Sequence, residues 1–183
     1  MKRVLITIFA IILVAIMFSS CKDTNQDMNA FALTPQQILS WVSSYSSNGT
    51  INDCTTDKIT KDGIYQRDCD IDVFKGDTVY NYLIDNVVAL RIFANPANDV
   101  WNVTVSEAAG DGNGGSCLEN ISALVMGVVY PKLNPSQCID EYNKLVSEGL
   151  PASDTFDGTA FTIYSYTGGA NTLCYKFFAS LSN

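Results

Sequence analysis

The stretch VVALRIFANPANDVWNVTVSE, residues 87–107, is two apolar runs about a turn. Asn95-Pro96-Ala97-Asn98-Asp99 collects the residue types that reverse a chain, so Val87–Ala94 and Val100–Glu107 read as a hairpin. In the second run Trp101, Val103 and Val105 alternate with Asn102, Thr104 and Ser106, which predicts one buried and one wet face. Working back, Lys75-Gly76-Asp77 marks a turn before a strand at Thr78–Ile84. Asp62-Gly63 marks another, between strands at 51–59 and 64–74. Keeping Thr60–Gly63 as the loop pairs Ile59 with Ile64 and sets Cys54 opposite Cys69, which predicts a disulfide between them.

Working forward, Ala108–Gly115 is a glycine-rich loop and two helices follow. Ser116 with Glu119 has the form of a capping box, ahead of the broad apolar face of Leu118, Ile121, Leu124, Val125, Val128 and Val129. Tyr130-Pro131 closes that helix. Asn134-Pro135-Ser136-Gln137 opens the next with a cap and a proline in the first turn, and Gly149 and Pro151 end it. Thr159–Tyr166 and Leu173–Ala179 read as a closing hairpin. At the other end, Thr34-Pro35-Gln36-Gln37 starts a helix over 35–46 with Ile38, Trp41, Val42 and Tyr45 at helical spacing. The order is helix, about five strands, two helices, hairpin. It predicts an α+β fold, an antiparallel sheet with helices packed on one face; the alternative is a β-sandwich with helical insertions.

Lys2 and Arg3 precede an apolar run, Val4–Phe18, interrupted only by Thr7, and Ser19-Ser20-Cys21 follows. The run is too short for a spanning helix, which needs about 20 apolar residues. The stretch resembles the precursor of a bacterial lipoprotein, with Phe18-Ser19-Ser20-Cys21 as the lipobox; Phe18 stands where that family prefers Leu. The resemblance implies diacylglyceryl attachment to the Cys21 sulfur, cleavage before it and acylation of the new amino terminus by a fatty acid such as palmitate. It divides the chain into a signal peptide (1–20), a lipidated cysteine and tether (21–33) and one globular domain (34–183). Lys22 follows the cysteine where Asp typically marks inner-membrane retention in enteric bacteria, so for a Gram-negative host the resemblance implies transport onward to the outer membrane, on its periplasmic or surface face.

Residues 21–183 hold nine basic and nineteen acidic residues, the other two basic ones lying in the signal, for a net charge of −10. Nucleic acid is excluded as a partner, since phosphate neutralisation needs clustered cations. The same charge leaves the lipid on Cys21 as the contact with an anionic membrane. The chain has no histidine, which removes His-dependent triads, Cys–His pairs and His-ligated metal sites.

Gly110, Gly112 and Gly115 match G-x-G-x-x-G, but a dinucleotide site needs it inside a parallel βαβ unit, so the loop reads as a loop. Asp68, Asp70 and Asp72 share one strand face and Cys69, Ile71 and Val73 the other. Three carboxylates on a flat strand do not complete the six to eight oxygens calcium takes. With Cys21 lipidated, five cysteines remain, and two disulfides are expected, one of them Cys54–Cys69. Cys117 and Cys138 lie at opposite ends of a tight helical hairpin; either the helices cross steeply or one of the two joins Cys174. No cofactor and no metal are expected. The leading function is non-enzymatic: a membrane-tethered envelope lipoprotein that binds another envelope component, with a protein the expected partner, as assembly factor, accessory subunit or inhibitor. The alternative is a carboxylate-based envelope hydrolase. Tyr164 and Tyr166, on one face of the penultimate strand, mark either core or an exposed aromatic binding patch.

Overall fold

The structure is a computed structural model that describes residues 29–45, 51–67, 69–108, 115–167 and 173–182. The signal segment, Cys21 and most of the glycine-rich loop lie outside the described residues. The order is α1 (Pro35–Tyr45), β1 (Ile51–Lys58), β2 (Gly63–Tyr65), β3 (Ile71–Val73), β4 (Thr78–Ile84), β5 (Val88–Ala94) and β6 (Val100–Glu107). Then come α2 (Gly115–Val129), α3 (Pro135–Ser147), β7 (Ala152–Phe156), β8 (Thr159–Thr167) and β9 (Leu173–Leu181). Seven strands form one antiparallel sheet in the order β1-β4-β5-β6-β9-β8-β7, and β2 pairs β3 apart from it. The fold is α+β.

Local chemistry sets most of these boundaries. Gln37 accepts the Thr34 amide at 2.8 Å, and Asn134 and Gln137 form a reciprocal capping box on α3. Asp85 and Asn86 both adopt positive φ, the conformation that a tight turn between β4 and β5 requires and that Asx side chains tolerate. The box expected at Ser116 does not form: α2 begins at Gly115, and Glu119 instead accepts from Asn143 Nδ2 at 2.9 Å.

Three helices cover one face of the sheet. Ile38 and Val42 from α1, Leu118, Val125 and Met126 from α2 and Leu145 from α3 pack against Leu90, Ile92, Val103, Val105, Phe161, Ile163 and Phe177. Phe31 joins this core, its amide bonded to the Val100 carbonyl, and Leu33 receives the Val100 amide. The packed unit therefore includes Phe31 and Leu33, a few residues before Thr34.

The second face holds the main departure. Phe93 pairs with Asn102 and Ala94 with Val100, so Trp101 is the extra residue of a β-bulge. The bulge turns Trp101 away from Val103 and Val105 and lays it against Phe93, ring centroids 5.3 Å apart. There it packs with Tyr65, Cys69, Val73 and Val79, under the small β2–β3 unit. The face expected to be wet is consequently buried: Asn102, Thr104 and Ser106 are all enclosed. Their polar groups answer one another and a buried arginine, Thr104 Oγ1 donating to Asn102 Oδ1 and Arg91 Nη1 to Ser106 Oγ.

Strand 51–59 does not pair with 64–74. β1 pairs with β4, Thr55 opposite Asn81, and β2–β3 is an excursion that leaves at Ile59 and returns at Gly76, where their backbones bond. The register that set Cys54 opposite Cys69 is thus overturned. The excursion nonetheless folds back over β1, with Tyr65 donating to Asp57 at 2.7 Å and Arg67 Nη1 2.5 Å from Thr55 Oγ1. Cys69 is buried beneath it, while the Cys54 side chain lies outside the described residues.

Candidate functional site

An open groove lies on the outside of the helical layer. α2 is the central helix, flanked by α1 and α3. It has more apolar surface than the sheet can cover, and Leu124, Gly127 and Val128 floor a groove on its outer side. Trp41 of α1 and Ile139 of α3 form the walls, and the cavity measures about 780 Å³. Trp41 is 54% exposed, although its spacing from Ile38 places it in the predicted apolar stripe. Ile38 and Val42 take the core side and leave Trp41 at the stripe's edge, facing the groove. The lining is apolar except at one end, where Asp85, Ser116 and Asn120 meet.

Two thiols line this groove. Burial pushes the Cys117 thiol up, with Asp85 adding to it, and burial alone raises Cys138. Both are free thiols and neither is an activated nucleophile. Gly127 packs on Cys138, a Cβ there standing 3.6 Å from its sulfur, and Cys117 is ten residues earlier, about 15 Å along the helix. That spacing forbids their union. Cys174 alternates with Phe177 and Ala179 of the helix-facing core and so lies across the sheet from both. The expectation of two disulfides is therefore corrected to one at most. Peptide mapping of oxidised protein should find Cys117 alkylated in the native state and Cys138 only on unfolding; a Cys117–Cys138 peptide would contradict the helical packing.

Tyr164 and Tyr166 fall on the opposite face, and neither is core. Tyr164 is 44% exposed, its ring edge-on to Phe178 at 5.3 Å. Lys176 Nζ sits 5.2 Å from the Tyr166 ring centroid, and the Tyr166 hydroxyl donates to the Glu107 carbonyl. The structure brings these tyrosines together with one cation, but as a shallow surface rather than a cleft.

Among the described residues no three His, Cys, Asp or Glu side chains are placed to hold an ion; Asp68 lies outside them. Asp70 and Asp72 are exposed, opposite the buried Cys69 and Val73, as their alternation predicts. β6 is antiparallel to both its neighbours, so the glycine-rich loop after it is no part of a parallel βαβ unit. Lys144 bridges Glu141 and Asp154, tying α3 to β7 at the surface.

No family model, curated protein or solved structure matches the chain. Among the described residues no helix is long and apolar enough to cross a membrane.

The sequence put Tyr164 and Tyr166 on one strand face without deciding between core and surface; the groove was not singled out. Its signal was the surplus on α2, where Leu124 and Val128 extend the apolar face beyond what one side can bury.

Proposed function

We propose that the chain is an envelope lipoprotein, anchored through acyl groups on Cys21 at the outer membrane, that acts without catalysis by binding another envelope protein. The groove along α2 is the observation that supports this reading. An open apolar channel of about 780 Å³ with a tryptophan on its rim suits an apolar segment of a partner. It offers no converging acid, base or activated thiol. The short tether between Cys21 and Phe31 would hold the domain close to the bilayer and to whatever is embedded there. Tyr164 and Tyr166, with Lys176, provide a secondary polar–aromatic contact surface. The hydrolase alternative draws on Glu107 and Glu119, which line a separate cavity of about 210 Å³. That is smaller than the roughly 300 Å³ and upward of ordinary ligand sites.

Val128 is half-buried in the groove floor, so a charge there disturbs the groove more than the fold. Val128→Asp should weaken the envelope contact at least about tenfold, the equivalent of ~1.4 kcal/mol, and Tyr164→Ala should weaken it less. Equal binding by wild type and Val128→Asp, with circular dichroism unchanged, would remove the groove from the account.

A further inference from the structure

β6 ends in a buried carboxylate, Glu107. Glu107 continues the helix-facing series of Val103 and Val105 and pairs across the sheet with Val88. It is 3% exposed, and its Oε2 has no hydrogen-bond partner among the described residues. Charges so placed are normally paired, because an isolated carboxylate loses its hydration without compensation.

Glu107 lines the small cavity of about 210 Å³ between the end of β6, α2, α3 and β9. Glu119 of α2 enters from one side, its Oε1 held by Asn143. Tyr142 of α3 and Tyr175 of β9 add two phenol rings, and Leu118 and Val146 supply apolar wall. These groups converge: the Tyr142 phenol is held well above its ordinary range by burial first, then by Glu119, Tyr175 and Glu107 around it. No lysine or arginine is among the residues lining the cavity.

We propose that this cavity is a binding site for an organic ammonium group, the end of an alkylamine such as a lysine side chain or a polyamine. Two carboxylates supply charge and acceptors for the three N–H groups of an ammonium, and the aromatic rings favour a cation over their faces. Leu118 and Val146 match the methylenes that follow the nitrogen. A hard divalent ion fits less well, since it takes six to eight oxygens and the cavity offers two carboxylates. The space admits a chain end, not a sugar ring. This site is separate from the groove and does not depend on lipidation.

The test is a titration of the purified protein, ¹³C-labelled in its glutamate carboxyls, with n-butylammonium chloride followed by nuclear magnetic resonance. Potassium chloride, calcium chloride and n-butanol serve as comparisons. A saturable shift of the Glu107 carboxyl with n-butylammonium alone is the expected result, and Glu119→Gln should weaken binding about tenfold or more. Glu107→Gln, nearly isosteric, should abolish saturation as read at the Glu119 carboxyl. If that variant does not fold, the wild-type titration and Glu119→Gln decide the matter. No shift in the wild type, an equal response to n-butanol or potassium, tighter saturation by calcium, or an affinity unchanged by Glu119→Gln would each overturn the assignment.

Discussion

Cys21→Ser is expected to abolish fatty-acid labelling completely and to leave an unprocessed precursor. The oxygen of serine does not accept the thioether-linked diacylglyceryl group, and the lipoprotein resemblance makes that group the prerequisite for cleavage. Acyl chains contribute about 0.8 kcal/mol per buried CH₂, and two or more chains give a stable anchor. Residues 21–183 supply little else: at nine basic against nineteen acidic residues they are repelled by anionic lipid. A form beginning at Lys22 behind an ordinary export signal should therefore fold and remain in the soluble fraction. Labelling with radioactive palmitate separates the outcomes. Incorporation that persists in Cys21→Ser, or is missing from the wild type, would refute the anchor.

The second large effect belongs to the core. Phe177 is fully buried in β9, stacked on Phe161 at 6.0 Å and set between Val105 of β6 and Ile163 of β8. It joins the two halves of the sheet beneath the helices. Phe177→Ala removes a ring that nothing can replace, at a cost of about 3–5 kcal/mol. Whole domains are stable by only about 5–15 kcal/mol, so much of the total would go. Urea unfolding should show a large drop in midpoint with the slope little changed. A loss under about 1 kcal/mol would place Phe177 outside the load-sharing core described above.

Where the sequence was legible, the information was local. The caps at Thr34 and Asn134 and the β5–β6 hairpin depend on residues within a few positions of one another, and they form as expected. Two readings failed, and one strand went unread, because the deciding partner is distant. Trp101 belongs by alternation with Val103 and Val105, but a single bulge residue opposite Phe93 moves it to the other face. Asp62-Gly63 does open a strand, yet β1 bonds with β4 some twenty residues later, and the intervening segment pairs only with itself. β7 has no counterpart in the sequence reading because Ala152-Ser153-Asp154-Thr155-Phe156 has little strand character of its own; it forms by adding to β8 across the Asp157-Gly158 turn. The site followed the same rule. Tyr164 and Tyr166 announce themselves by alternation, whereas the groove exists only once α1 and α3 stand on either side of α2.

The most direct test of the account is site-specific photocrosslinking in intact cells from a probe at position 128, compared with the same probe at position 182 on the exposed chain end. A groove that engages an envelope protein predicts one discrete adduct from position 128, weakened by Ile139→Asp in the opposite wall and absent from position 182. No adduct from position 128 in membrane-anchored, folded protein, or the same adducts from both positions, would contradict it.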